Sequence, residues 1–147
     1  MSRTLSATKK TVNNYMVKEL LGEGSFGKVN RVEDTVSGIQ YAMKVIKRQA
    51  LKSGSLKKYG DTQADEIRRE IDAMRSLHHK NIVSLHEVID DPMASALYMI
   101  QELCEGGEVM PDAESEEGAT PLGMATARNY VRQILLAVDH MHEVGII

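Results

Sequence analysis

Tryptophan is absent from this chain of 147 residues, and phenylalanine and cysteine each occur once. One cysteine excludes an internal disulfide framework. The histidines form no His-Glu-x-x-His pattern and there is no cysteine pair, so no protein-ligated metal is expected. Charge of one sign is also missing. The formal net charge is −3, which does not favour nucleic acid as a partner. No apolar run approaches membrane length. The opening Met1-Ser-Arg-Thr is neither a secretory signal nor a myristoylation start, so the cytoplasm is the expected compartment. There are no internal repeats. What remains, 42% hydrophobic and 27% charged residues, allows one globular unit. Residues 1–14 read as a disordered arm ahead of it.

The richest segment is Leu21-Gly-Glu-Gly-Ser-Phe-Gly-Lys-Val29. Gly22, Gly24 and Gly27 let backbone N–H groups come close to phosphate oxygens. The single phenylalanine, Phe26, sits among them between Ser25 and Gly27, where it reads as a lid rather than a core residue. The bland alternative is a glycine-rich hairpin turn. A dinucleotide-binding fold uses the same glycine spacing. There the loop must open a helix, and an acid must follow about 20 residues on. Here the residues after Gly27 have no helical period, and the expected acid is replaced by Ala42, Met43 and Lys44. Ile39, Tyr41, Met43 and Val45 alternate with Gln40, Ala42, Lys44 and Ile46, which is a strand period. The loop therefore joins two antiparallel strands.

Lys44 shares its strand face with Ala42 and Ile46, so it emerges from an apolar surface, although a strand lysine is usually just solvated. A helix is expected over 64–77, with Ile67, Ile71, Met74 and Leu77 on one stripe. Glu70 borders that stripe, where a carboxylate is costly unless a cation meets it. Glu66 is the runner-up, and a solvated glutamate paired with Arg69 or Arg75 is the plain alternative. Between strand and helix, residues 47–63 carry Lys47, Arg48, Lys52, Lys57 and Lys58. They read as a solvated linker or, more sharply, as a docking insert for an acidic partner. Further strands are expected within 78–89 and over 96–103, then an acidic loop containing Pro111 over 105–118. A final helix over 125–143 carries Tyr130, Val131, Ile134, Leu135, Val138 and Met141 on its apolar side, with Arg128, Arg132 and Asp139 elsewhere.

The glycine loop together with Tyr41-Ala-Met-Lys44 resembles the ATP-binding lobe of the eukaryotic protein kinases. The resemblance runs from about Tyr15 to Ile147 and covers the first half of a kinase domain. It implies an α+β fold, with an antiparallel five-stranded sheet plus the αC helix of that family over 15–103. A hinge and acidic loop over 104–123 and the start of a C-lobe over 124–147 would follow. It also implies site residues. Lys44 would contact the phosphates and pair with Glu70. Leu21, Gly22, Glu23, Gly24, Ser25, Phe26, Gly27, Lys28 and Val29 would form the loop over ATP. Val29 and Ala42 would pack on adenine, Gln101 would be the gatekeeper, and the backbones of Glu102 and Cys104 would meet the adenine edge. Met74 and Leu85 fall where kinases place the upper part of their hydrophobic spine. Magnesium would arrive on ATP.

The segment after the hinge, Gly106-Gly-Glu-Val-Met110, together with Val88-Ile-Asp-Asp-Pro92, resembles the calcium/calmodulin-dependent kinase kinases and the liver kinase B1 type. That implies downstream kinases as partners. A kinase would continue past His142-Glu-Val-Gly-Ile-Ile147 with His-Arg-Asp and then Asp-Phe-Gly. The catalytic Asp and the magnesium ligands are thus expected to be missing here, and the chain alone inactive. The alternative class is a non-catalytic, kinase-like binding or regulatory module. A dehydrogenase is a distant third.

Overall fold

The structure, a computed structural model, describes residues 10–24, 27–48, 63–109 and 121–147. Ser25, Phe26, most of the basic linker and most of the acidic loop lie outside the described residues. Six strands and two helices are present: β1 (Thr11–Val12), β2 (Tyr15–Gly24), β3 (Gly27–Asp34), β4 (Gln40–Lys47), α1 (Gln63–Ser76), β5 (Leu85–Ile89), β6 (Ala96–Glu102) and α2 (Met124–Glu143). The strands form one antiparallel sheet in the order β1-β2-β3-β4-β6-β5. The chain separates into two compact units, residues 1–66 with 85–103, and residues 67–84 with 104–147.

Six strands stand where five are expected, because Thr11 and Val12, near the end of the segment read as an arm, form β1. Thr11 and Val12 pair with Met16 and Tyr15 through a two-residue turn. Asn13 takes a φ of 50°, a left-handed conformation that asparagine tolerates better than most residues. The Val17 N–H donates to the carbonyl of Lys10 at 2.9 Å. The strand expected within 78–89 is confined to its last five residues. The other elements match their expected ranges within a residue or two.

Tyr15, Val32, Met43 and Ile100 form a buried cluster on one face of the sheet, flanked by Val17, Tyr41, Val45 and Tyr98. Each fully buried side chain of this kind contributes roughly 1.5–3 kcal/mol. Tyr15 is 2% exposed, and its hydroxyl donates to Glu87 Oε2 at 2.7 Å. β2 and β5 are four strand spacings apart in the sheet order, about 19 Å if the sheet were flat. A tyrosine side chain cannot reach that far, so the sheet curls until both ends face the same cluster. Tyr41 links the two sides, edge-on to Tyr15 and stacked on His86 at 4.6 Å.

A bulge in β5 makes this contact possible. Leu85 pairs with Gln101 and Glu87 with Ile100, leaving His86 as the extra residue. Without it, Leu85 and Glu87 would point to the same face. With it, Glu87 turns to the cluster and Leu85 to the opposite face.

The turns are tied by side chains. The Asp34 carboxylate accepts from the Val36 N–H at 3.0 Å, the Ser37 hydroxyl at 2.8 Å and the Asn14 amide at 2.6 Å. Those bonds, the Val36 one first, hold the carboxyl below the ordinary aspartate value. Arg48 crosses to the β5–β6 turn. It pairs with Asp90 and donates to the carbonyls of Asp91 at 2.6 Å and Ala94 at 2.9 Å. Arg48 was counted among the cations open to an acidic partner; its charge is taken up inside the fold.

In the second unit, Asn81 donates to the carbonyl of Gln133 at 3.1 Å, and His79 stacks on His140 at 5.3 Å. Along α2, Tyr130, Val131, Ile134, Leu135 and Val138 are 37–63% exposed. Arg128, Arg132 and Asp139 line the same depression as Val131 and Leu135, so they flank the apolar side rather than facing away from it.

Tyr15→Phe removes the donor from a half-buried carboxylate without opening a cavity. It is expected to lower unfolding stability by about 1–3 kcal/mol, measured by urea denaturation. No loss would show that Glu87 is solvated. The lowered pKa of Asp34 has a definite sign. A carboxyl depressed in the fold adds stability above its unfolded pKa, and that stability is lost as pH falls through the folded value. The Val36 amide resonance should therefore titrate with a midpoint below that of a free aspartate, and Asp34→Ala should abolish the transition. A midpoint at or above the ordinary value would contradict the hydrogen-bonding pattern.

Candidate functional site

The register decides which predicted residues come together. In an antiparallel sheet, directly opposed residues share a face. Val29 opposes Lys44, and Lys44 opposes Met99. In the next row Arg31 opposes Ala42, Ala42 opposes Gln101, and Gln101 opposes Leu85. Val29, Ala42, Lys44, Gln101 and Leu85 therefore lie on one face. Tyr15, Val32, Met43 and Ile100 lie on the other. Ala42 and Ile46, the neighbours of Lys44 along β4, are 9% and 0% exposed, and Lys44 itself is half-buried. The lysine does emerge from an apolar surface, as its sequence context implied.

The hairpin between β2 and β3 carries the glycine motif. Gly22 opposes Val29, Glu23 opposes Lys28, and Gly24 opposes Gly27. Register shifts on either side of Leu20 break the regular pairing just before the motif. Glu23 and Lys28 form an exposed ion pair at 3.4 Å, of the kind that contributes little to stability. Ser25 and Phe26, including the expected lid, lie outside the described residues.

The three glycines have different roles. Gly27 has a φ of 145°, and a Cβ there would sit 1.9 Å from the carbonyl oxygen of Val45. Only glycine fits, because β4 approaches the hairpin too closely for a side chain. At Gly22 and Gly24 a Cβ would meet nothing within 4 Å. The fold does not require glycine at these two positions. Their bareness leaves open backbone at the hairpin tip, on which an anionic ligand can settle.

Glu70 lies on α1 between the buried Ile67 and Ile71, and is itself half-buried. It belongs to the second unit and Lys44 to the first. Glu102 ends β6 and is exposed, and Cys104 is the exposed first residue of the second unit's longer segment. Among the described residues no group of three or more His, Cys, Asp or Glu is placed to hold a metal ion.

Sequence reasoning missed three structural supports of this face. The Tyr15–Glu87 bond is separated by 72 residues and has no local signal. The bulge at His86 is equally silent. The Arg48 clamp did leave a trace, in the adjacent acids Asp90 and Asp91 before Pro92.

The protein kinase domain family model matches residues 15–147. Similar proteins include serine/threonine-protein kinase ssp1 of Schizosaccharomyces pombe, 34% identical over 140 residues covering 95% of this chain and 21% of that protein. SNF1-activating kinase 1 of Saccharomyces cerevisiae is 32% identical over 148 residues, 95% of this chain and 13% of that protein. Serine/threonine-protein kinase GRIK2 of Arabidopsis thaliana is 37% identical over 133 residues, 90% of this chain and 32% of that protein. The chain belongs to the protein kinase domain family. It spans from 13% to 32% of the length of these three relatives.

The different roles of the glycines can be separated by mutation. Gly27→Ala is expected to cost at least about 2 kcal/mol, through the clash with Val45 and the disfavoured φ. Gly22→Ala and Gly24→Ala should leave the unfolding midpoint within about 0.5 kcal/mol of wild type. Thermal unfolding of the three variants is the measurement. Equal destabilisation by all three would mean that the tip packs against the chain itself.

Proposed function

We propose that this chain supplies the ATP-binding part of a serine/threonine protein kinase, an enzyme transferring the γ-phosphoryl of Mg-ATP to a protein hydroxyl. The observation that carries the reading is the single sheet face bearing Val29, Ala42, Lys44 and Gln101, next to a hairpin tip left bare at Gly22 and Gly24. These residues fit a nucleotide. Val29 and Ala42 offer small apolar surface for the adenine ring. The open tip offers backbone N–H groups to phosphate. Lys44 would neutralise phosphate charge, with Glu70 as its partner. Gln101 would border the adenine pocket, and the Glu102 and Cys104 backbones would meet the adenine edge. Leu21, Glu23, Ser25, Phe26 and Lys28 complete the loop in this reading. Bound ATP brings its magnesium and the phosphoryl group; the chain's own part is to bind and orient them.

The 147 residues contain neither His-Arg-Asp nor Asp-Phe-Gly. Those motifs position the nucleophile and hold magnesium in kinases, so this chain alone is proposed to bind ATP without transferring phosphate. On the finer question, the Gly106-to-Met110 segment supports kinship with the calcium/calmodulin-dependent kinase kinases and the liver kinase B1 type. A relative named for activating SNF1 is in keeping with this, and downstream kinases are the substrates that kinship proposes. The proposed compartment is the cytoplasm.

Calorimetry with Mg-ATP tests the reading. Lys44→Ala is expected to weaken binding by about tenfold or more, since it removes a charge-assisted contact to phosphate. Gly24→Val should weaken it too, by filling the bare tip. Binding unchanged in both variants would place the nucleotide elsewhere. Radiolabel transfer to a protein substrate by the wild-type chain, lost in Lys44→Met, would overturn the proposal that the chain alone is inactive.

A further inference from the structure

At the end of the sheet that also carries the glycine hairpin, β4 runs into Arg48 and meets the β5–β6 turn. A groove of about 660 Å³ opens there. Its apolar lining includes Val45 and Tyr98, the side chains that flank the buried cluster. Met93 stands on its rim, 93% exposed. An exposed methionine on a loose loop would mean little, but this turn is held firmly. Arg48 pairs with Asp90 and donates to the carbonyls of Asp91 and Ala94. The Met93 N–H donates to Asp91 Oδ1 at 2.9 Å, the Ala94 N–H to the Asp91 carbonyl at 3.0 Å, and the Arg48 N–H to the Ser95 carbonyl at 3.0 Å. Met93 is thus presented at little further entropic cost to a ligand.

The charged side chains lining the groove are all basic, while the Asp90 and Asp91 carboxylates behind it are held by Arg48 and by the Met93 N–H. Lys10 and Lys47 line it, and among the described residues no acidic side chain pairs with either. Arg48 adds a third cation, already committed to Asp90. Among the described residues no acid lines the groove. This contrasts with β2 and β3, where Lys18, Lys28 and Arg31 each have a glutamate partner.

We propose that this groove is a docking site for an acidic linear peptide of a partner protein. One apolar side chain of the peptide would sit against Met93 and Tyr98, and carboxylates on either side of it would face Lys10 and Lys47. Charge complementarity selects the occupant, because two unpaired lysines at an apolar groove attract carboxylates and repel basic segments. An anionic membrane shares the charge but not the shape, since the lining is recessed. The site lies within the sheet unit and does not depend on the nucleotide reading.

The probe is a fluorescein-labelled nonapeptide of alternating glutamate and leucine. The matching lysine–leucine peptide is the control. Fluorescence anisotropy is measured with the full chain at low salt. The acidic peptide is expected to bind and the basic one not. The double reversal Lys10→Glu with Lys47→Glu should weaken acidic-peptide binding about tenfold, and Met93→Ser about threefold. All three side chains are exposed, and an unchanged thermal-unfolding midpoint checks the folding of the variants. In an amide spectrum of the wild type, the shifts caused by the peptide should centre on Lys47, Met93 and Tyr98. A change of less than about twofold on charge reversal, equal binding of the basic peptide, or retention on phosphatidylserine vesicles without peptide binding would each overturn the proposal.

Discussion

A phenol buried at one end of a sheet must find an acceptor, and here the acceptor is on the strand at the far end. Burial, and then the bond to Glu87, push the Tyr15 hydroxyl well above its ordinary pKa. The proton therefore stays on the phenol at any ordinary pH, and Tyr15 remains the donor. An unpaired hydroxyl inside the cluster would cost more than the pair returns. Curling the sheet removes that cost and closes the core at the same time. Every other feature of the first unit follows from the curl. One face turns inward on Val32, Met43 and Ile100, and the other is left to carry Lys44.

That division explains how so small a sheet serves two purposes. Alternation along β4 sends Tyr41, Met43 and Val45 one way and Ala42, Lys44 and Ile46 the other. The inward set is large and aromatic-flanked. The outward set is split: Ala42 offers a single methyl beside the lysine, while Ile46 is fully buried. The eight-residue strand therefore builds the cluster with one set of alternate residues and carries Lys44 on the other.

Much of this was legible in the sequence. Strand periodicity around Lys44 gave β4, the glycine spacing gave the hairpin, and the Ile67–Ile71 stripe gave α1. These are local signals, set by residues two to four apart. The extra strand β1 escaped because two residues carry no period, and its evidence is one asparagine able to take a positive φ. The Tyr15–Glu87 bond escaped because it joins residues that only the curl brings together. Arg48 was misread because its partners lie 42 to 46 residues away. At the candidate site, Lys44, Ala42, Val29 and Gln101 were named from the resemblance to kinases, and the register then puts them on one face. Glu70 was legible only as a position on a helix.

The bulge at His86 has one more consequence. A strand with a fixed number of residues between two landmarks behaves like a counted sequence, in which parity decides the outcome. Deleting His86 would leave Leu85 and Glu87 adjacent, and plain alternation would still send them to opposite faces against the same partners, Gln101 and Ile100. Straightening the strand while keeping all five residues is the damaging change. Two residues apart, both side chains would then share a face, with a carboxylate beside Gln101 or a leucine offered to the phenol in place of an acceptor. Residue and irregularity are thus tied together: both can be lost at once, but not the irregularity alone.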